Sequence, residues 1–530
     1  MIASLLDFLR AGGADSRPGK RLIVIFVAGL LSGLAFAPTY LVPLWPFGFG
    51  LTLYFIQAAQ RWPQRLALSF LFSYGSMLSS LYWIALAPTA DPQFYFLIPP
   101  TLILLPAFAA VFGTLALFLA GFWRHEPAGF AFLAGTFWLF FEWRRGLDLT
   151  GFAWNRVGMI WTVDPVTMQL AAWGGVAALS LVSVLLGLSV FFALRRQLTL
   201  AWGLGVVPLA LLIGFGALRL AAHPQESLAP IPEVKVRLVQ ANIPKNSLGG
   251  TAVYEAHMAL STQTPLDGIS HVIWPEGSVR ASLDVREDLR TDLATRLAPA
   301  PYSLVFGRRL PSLNSETQTR PRPQTHLSAY LIRHEDRSFT TYDKVSLVPF
   351  GEYIPYSSLL SRLGFSTLTG PFLDRIPGHG PKTLTLDEHT KIGVFICYDS
   401  INTGNIVEHE NRPDWLVTLT EDAWYILPEI SVLAKTPGPY QHLAESRLRA
   451  VEEGLSIARA SNPGISLVID PLGRQWGKRL NLGEIGSLDS VIPASDLVPI
   501  YTKIGYTTLY IAVTLLLLII ALIFYLKGRH

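Results

Sequence analysis

Cys397 closes the apolar run KIGVFICYDS and is the only cysteine in 530 residues. A strand that ends in a tight turn presents its last side chain into a cleft. A thiolate there is a nucleophile, provided that a nearby cation lowers its pKa and a base takes its proton. The plainer reading of Cys397 is a small buried hydrophobe. Candidate partners lie upstream. Glu276 ends the apolar run of VIWPEGSVR, and Lys344 precedes another in YDKVSLVPFGEYIP. Singly, a glutamate at a strand end caps a helix or meets solvent, and a lysine faces water. Together the three segments each place a chemical group at a strand edge.

Other chemistries find little support. A single cysteine rules out an internal disulfide and a cysteine-based zinc site. The eleven histidines are scattered with no H-E-x-x-H, and no Walker A or G-x-G-x-x-G fingerprint follows a strand. No metal, nucleotide or other cofactor is expected. His442, in YQHLAE, reads as a packing or capping residue on a helix. The formal charge of +4 needs no nucleic-acid partner, because Lys and Arg cluster beside apolar stretches.

The elements that must position these groups divide by composition. Half of the chain is hydrophobic (51%), 15% is charged and the mean hydropathy is +0.38, which places much of it in lipid. Apolar stretches at 22–38, 42–58, 66–87, 95–123, 128–143, 166–194 and 200–220 predict seven spans. Most approach the roughly 20 residues that cross a bilayer as helix. An eighth lies at 504–528. No cleavable signal peptide is expected. Residues 225–500 are mixed and polar. Strand-like runs fall at 234–242, 271–276, 303–309, 327–332, 391–399, 414–422 and 465–470, and a helical pattern over 438–460 has Leu443, Leu448, Val451 and Leu455 on one face. The expected division is a membrane domain over 1–224, a catalytic domain over 225–500 and a terminal span over 501–530.

Positive residues orient the spans. Arg10, Arg17, Lys20, Arg21, Arg61, Arg65, Arg124, Arg195, Arg196, Lys527 and Arg529 fall on one side if every stretch crosses, and that side is cytoplasmic. The polar domain is then on the far side, the periplasm of a bacterium. A lone unpaired cysteine in a compartment that permits disulfides is notable. Arg144, Arg145 and Arg156 fall on the wrong side, beside Glu142 and Asp148.

The segments around Glu276, Lys344 and Cys397, in that order, resemble the nitrilase (carbon–nitrogen hydrolase) superfamily and its Glu–Lys–Cys triad. Taken with the spans, nearly the whole chain resembles the apolipoprotein N-acyltransferase family. WPEGSVR, DKVSLVPFGEYIP, ICYDS, EDAWY and GPYQHLAESRLRAVEEG carry the likeness in the polar domain, and LYWIALAP and GFAWNRVG in the membrane half. The resemblance implies eight transmembrane helices and an α/β, nitrilase-like αββα sandwich opening toward the outer leaflet of the inner membrane. It implies Cys397 as the acylated nucleophile, Glu276 as general base and Lys344 as the oxyanion's cation. It also implies Glu352 as a supporting carboxylate, Tyr398 as a residue shaping the pocket, and Trp424 and Tyr425 as an aromatic pair near substrate. The donor would be a phospholipid, typically phosphatidylethanolamine, the acceptor the α-amine of a diacylglyceryl apolipoprotein, and the enzyme a monomer. Asp399 stands where the family has Glu after the Tyr, Glu421 where it has Asn, and Tyr425 where it has Phe. The stretch between Trp424 and Gly438 is longer than usual, and KNSLGG lacks a Trp. A membrane-tethered amidase and a non-enzymatic transporter or scaffold are the alternative classes.

Overall fold

The computed structural model describes residues 18–90, 92–147, 151–244, 248–309, 325–349, 351–353, 355, 375–385, 391–402, 404, 406–425 and 436–527. Arg10, Arg17, Asp148, Arg529, the stretch 426–435 and residues 245–247 of KNSLGG lie outside them. The chain divides into two compact units, Met1–Ala222 with Ile500–His530, and His223–Pro499.

The first unit is helical. Five stretches are long and apolar enough to cross a membrane: Trp62–Ala87, Tyr95–Trp123, Ala171–Leu194, Leu198–Ser227 and Tyr506–Lys527. Helices Pro18–Gly33 and Leu44–Ala58 are 16 and 15 residues long, and Pro127–Arg145 ends in charged residues. Gly174 and Gly175 kink the helix Ala171–Leu194; Gly175, at φ +58, takes a left-handed conformation open to glycine. Buried polar groups tie this unit together. The Glu142 carboxylate accepts from Ser180 Oγ at 2.5 Å, Tyr510 Oη at 2.9 Å and the Val157 N–H at 2.7 Å. Arg145 donates to the Asn155 carbonyl at 3.2 Å. Buried carboxylates are costly unless satisfied in this way.

The second unit holds two six-stranded sheets. The strands are β1 (Pro230–Gln240), β2 (His271–Ile273), β3 (Tyr302–Arg309), β4 (His326–Arg333), β5 (Phe339–Asp343), β6 (Thr383–Thr385), β7 (Lys391–Ile396), β8 (Trp415–Thr420), β9 (Ile457–Ser461), β10 (Ser466–Ile469), β11 (Gln475–Leu480) and β12 (Gly486–Pro493). One sheet runs β12-β1-β2-β3-β4-β5, the other β11-β10-β9-β8-β7-β6. β1, β2 and β3 are parallel, as are β7, β8 and β9, and the outer strands are antiparallel.

Strand periodicity builds the layers. Leu238, Ile273, Leu304, Val394, Val417 and Ala458 point between the sheets into one buried core. Their neighbours face outward. Val239, Val272 and Val305 pack with Tyr254, Met258 and Leu293, from helices Gly250–Thr262 and Glu287–Arg296. Phe395, Leu416 and Ile457 pack with Ala450, from helix Pro437–Glu453. Successive side chains alternate faces, and both faces are covered, so apolar residues fall on both sides of these strands. The result is a helix–sheet–sheet–helix stack.

One expected helix is shorter than the sequence reading. The helix over 438–460 stops at Glu453, and Ile457–Ser461 is β9. Gly454 at φ +66 caps the helix, its N–H bonding the Ala450 carbonyl at 2.8 Å. A left-handed glycine ends a helix even where the apolar spacing continues.

Candidate active site

Four strand ends bring the chemical groups together. β2 stops at Ile273, and Trp274–Pro275 lead to Glu276, whose side chain is buried. Gly277, at φ +80, lets the chain turn against Glu421; a Cβ there would lie 3.2 Å from that carboxyl. Glu276 Oε2 accepts the Glu421 N–H, at the end of β8, at 3.2 Å.

Lys344 follows β5. Its own N–H bonds Leu327 O and its carbonyl accepts the Gly378 N–H, each at 2.8 Å, so its backbone is held on both sides. The side chain is fully buried. Nζ lies 2.6 Å from Glu352 Oε1 and 3.5 Å from Glu276 Oε1. Glu352 Oε2 accepts the Val348 N–H at 2.8 Å. The tighter carboxylate is therefore Glu352, and Glu276 is the looser one.

Cys397 follows β7 at φ +48 and opens a tight 3-10 turn, Cys397–Ser400. A left-handed conformation at a non-glycine residue costs on the order of 1 kcal/mol and persists only where the surroundings hold it. Asp399 does part of this. Its carboxylate accepts from the Ile396 N–H at 3.0 Å, the Ser346 N–H at 2.6 Å and Tyr342 Oη at 2.9 Å. The shorter acid thus folds back to brace the turn. Tyr398 is buried, and Trp424, in the turn Asp422–Tyr425, is half-buried. The Tyr425 side chain lies outside the description.

The electrostatics follow from burial and charge. Burial pushes the Cys397 thiol well above its usual range, and Glu276 adds to this while Lys344 opposes it. The thiol is therefore protonated at rest. Burial alone would lower the Lys344 ammonium, but Glu276 and Glu352 outweigh it and raise the pKa, so the charge stays. Burial raises the Asp399 carboxyl, against Lys344 and the two N–H donors. A protonated thiol, an adjacent carboxylate and a fixed ammonium make a set able to activate sulfur and stabilise a negative oxygen.

Of the groups behind this turn, the sequence singled out His442 alone, as a packing or capping residue. Asp422, His442, Arg459, Ser400 and Ser461 form one buried network. Their segments, EDAWY and GPYQHLAESR, stood out, but nothing in their spacing pairs them. Among the described residues no cluster of His, Cys, Asp and Glu has metal-binding geometry.

Two packed sheets with Glu, Lys and Cys at their strand ends define a carbon–nitrogen hydrolase domain, and residues 235–485 match the carbon–nitrogen hydrolase family. A solved amidase from Nesterenkonia sp. aligns with 18% identity and a TM-score of 0.33, covering 50% of this chain and 93% of that one. Residues 28–189 match the N-terminal domain of apolipoprotein N-acyltransferase. The apolipoprotein N-acyltransferase of Rhodopseudomonas palustris is 32% identical, over 95% of this chain and 95% of its own. That of Bradyrhizobium diazoefficiens is 32% identical, over 94% of each chain. That of Rickettsia typhi is 28% identical, over 94% of this chain and 98% of its own. The chain belongs to the apolipoprotein N-acyltransferase family and is a membrane-associated acyltransferase.

Proposed function

We propose that this acyltransferase moves an acyl chain from a phospholipid, typically phosphatidylethanolamine, to the α-amine of the S-diacylglyceryl cysteine of an apolipoprotein, through a thioester on Cys397. The observation that carries this reading is the fully buried Lys344 ammonium, 3.5 Å from Glu276 and 2.6 Å from Glu352, whose charge acts on the Cys397 thiol.

In the first half-reaction Glu276 takes the thiol proton as sulfur attacks the ester carbonyl, and Lys344 stabilises the tetrahedral oxyanion by a few kcal/mol. Collapse breaks the C–O bond, and the lysophospholipid leaves with the proton from Glu276. In the second, the amine attacks the thioester, Glu276 accepts a proton from nitrogen, and the thiolate leaves and recovers that proton. Glu352, bonded at both oxygens, holds Lys344 in place. The raised thiol pKa supports a base-assisted attack, since no standing thiolate is available.

Both substrates arrive through the bilayer. Membrane segments over 1–224 and 501–530 cross it eight times, the five long helices joined by three shorter ones, with the catalytic domain over 225–500 in the periplasm of the inner membrane. The side on which the flanking Lys and Arg fall supports this orientation. A water-poor site keeps the thioester from hydrolysis. One chain supplies every group named, so the enzyme acts as a monomer.

Intact mass measurement after incubation with phosphatidylethanolamine tests the reading. A gain of one acyl chain is expected, absent in Cys397→Ala and discharged by a diacylglyceryl peptide. Full peptide acylation by Cys397→Ala would overturn it, and release of free fatty acid without transfer would favour a hydrolase.

A further inference from the structure

The nucleophile turn is also held from behind, by groups to which the proposed chemistry gives no part. His442, in helix Pro437–Glu453, is buried, with Nδ1 2.8 Å from Asp422 Oδ1. Its Nε2 lies 3.1 Å from the Cys397 carbonyl oxygen and 3.1 Å from Ser400 Oγ. Asp422 is fully buried, and its Oδ2 accepts from Arg459 Nη2 and from Ser461 Oγ, each at 3.0 Å.

Proton counting fixes the ring. A carboxylate that already accepts from a guanidinium and a hydroxyl stays ionised, and His442 with Arg459 lowers the Asp422 pKa against the effect of burial. The proton between Asp422 and His442 is therefore on Nδ1, and Nε2 faces the nucleophile's own carbonyl. In the neutral ring the Ser400 hydroxyl donates to Nε2. In the cation, Nε2–H donates to the Cys397 carbonyl, which Ser400 Oγ also reaches at 3.0 Å. Either way the Arg459–Asp422–His442 chain ends on the turn that carries the sulfur. The peptide group between Cys397 and Tyr398 is planar, so fixing its carbonyl fixes the Tyr398 N–H on the opposite edge.

We propose that His442, oriented by Asp422, is a positioning residue for acyl transfer: it holds the left-handed turn that aims the sulfur, through the Ser400 hydroxyl when the ring is neutral and at the Cys397 carbonyl when it is a cation. This rests on Cys397 being the nucleophile. The test uses full-length protein with phosphatidylethanolamine and reads acyl-enzyme formation by intact mass. In His442→Asn the amide nitrogen stands where Nδ1 was, nothing stands where Nε2 was, and Ser400 Oγ alone is left at the Cys397 carbonyl. Its kcat is expected to fall about tenfold or more with KM within about twofold. In His442→Gln the amide nitrogen stands where Nε2 was, and kcat is expected to return to within about threefold of wild type. If His442→Asn is not recovered folded, His442→Leu, which likewise has no donor at the Nε2 position, takes its place. Wild-type kcat in the donor-free variant overturns the proposal, and so does a His442→Gln variant as slow as the donor-free one. Failure of the underlying reading shows separately, as transfer that survives Cys397→Ser.

Discussion

Lys344 is shared unequally between two carboxylates, and the inequality separates their parts. Glu352 is bonded at both oxygens, to the ammonium at 2.6 Å and to the Val348 N–H at 2.8 Å. Glu276 sits at 3.5 Å from the ammonium and 3.2 Å from the Glu421 N–H, so the ammonium holds it less closely. Glu276→Gln is therefore expected to slow acyl transfer by about a hundredfold or more while leaving the thermal midpoint near wild type. Lys344→Met should differ in kind. It leaves two buried carboxylates facing each other without their cation, which costs about 3–5 kcal/mol in addition to the activity. Thermal unfolding and single-turnover acylation of both variants check this. A Lys344→Met protein as stable as wild type would show that the ion pairs do not hold the site.

At the level of elements, the helix Pro437–Glu453 has a stability term that titrates. Glu453 lies in its last turn, where the helix dipole disfavours an anion, and its side chain is buried with Arg412 Nη1 no nearer than 3.9 Å. Burial, then Glu452, push its carboxyl up to about 7, against Arg412 and Arg449. The folded pKa exceeds the unfolded one, near 4.5, so the folded state prefers the protonated acid. That contribution is complete below the unfolded pKa and is lost as pH rises through about 7. Glu453→Gln, neutral at every pH, is expected to raise the thermal midpoint at about pH 8 and leave it unchanged at about pH 5. Equal effects at the two pH values would show that the carboxyl is not the titrating group.

The whole chain returns to its helical unit at the end. Tyr510, in the C-terminal helix Tyr506–Lys527, donates to Glu142 at 2.9 Å across 368 residues of sequence. A buried hydrogen bond of this kind is worth about 1 kcal/mol. Tyr510→Phe is expected to lower the thermal midpoint in detergent by a few degrees, since Glu142 keeps Ser180 and the Val157 N–H. No change in midpoint would count against this clamp. The proposed orientation is checked independently. Lys478 is exposed on β11, and Cys397 is buried. A cysteine introduced by Lys478→Cys should react with a membrane-impermeant maleimide in spheroplasts. Labelling that requires lysis would place the domain in the cytoplasm.

What the sequence determined is what local pattern records. Mostly apolar runs mark elements covered on both faces, so the long helices and β1, β2, β3, β4, β7, β8 and β10 were legible, as was a cysteine at the end of one such run. β5, β6, β11 and β12 were not. β11 reads QWGKRL because most of it faces solvent, and β6 is only three residues long. β9 was hidden behind the helical spacing that Gly454 interrupts. The tertiary structure decided which groups meet. Lys344 and Glu276 are 68 residues apart, and His442 and Cys397 are 45 apart. Hydropathy and periodicity act over a few residues, whereas these pairs depend on sheet order and on where each strand stops. Which carboxylate holds the ammonium more closely, and that an Asp–His pair stands behind the thiol, follow only once both sheets are packed.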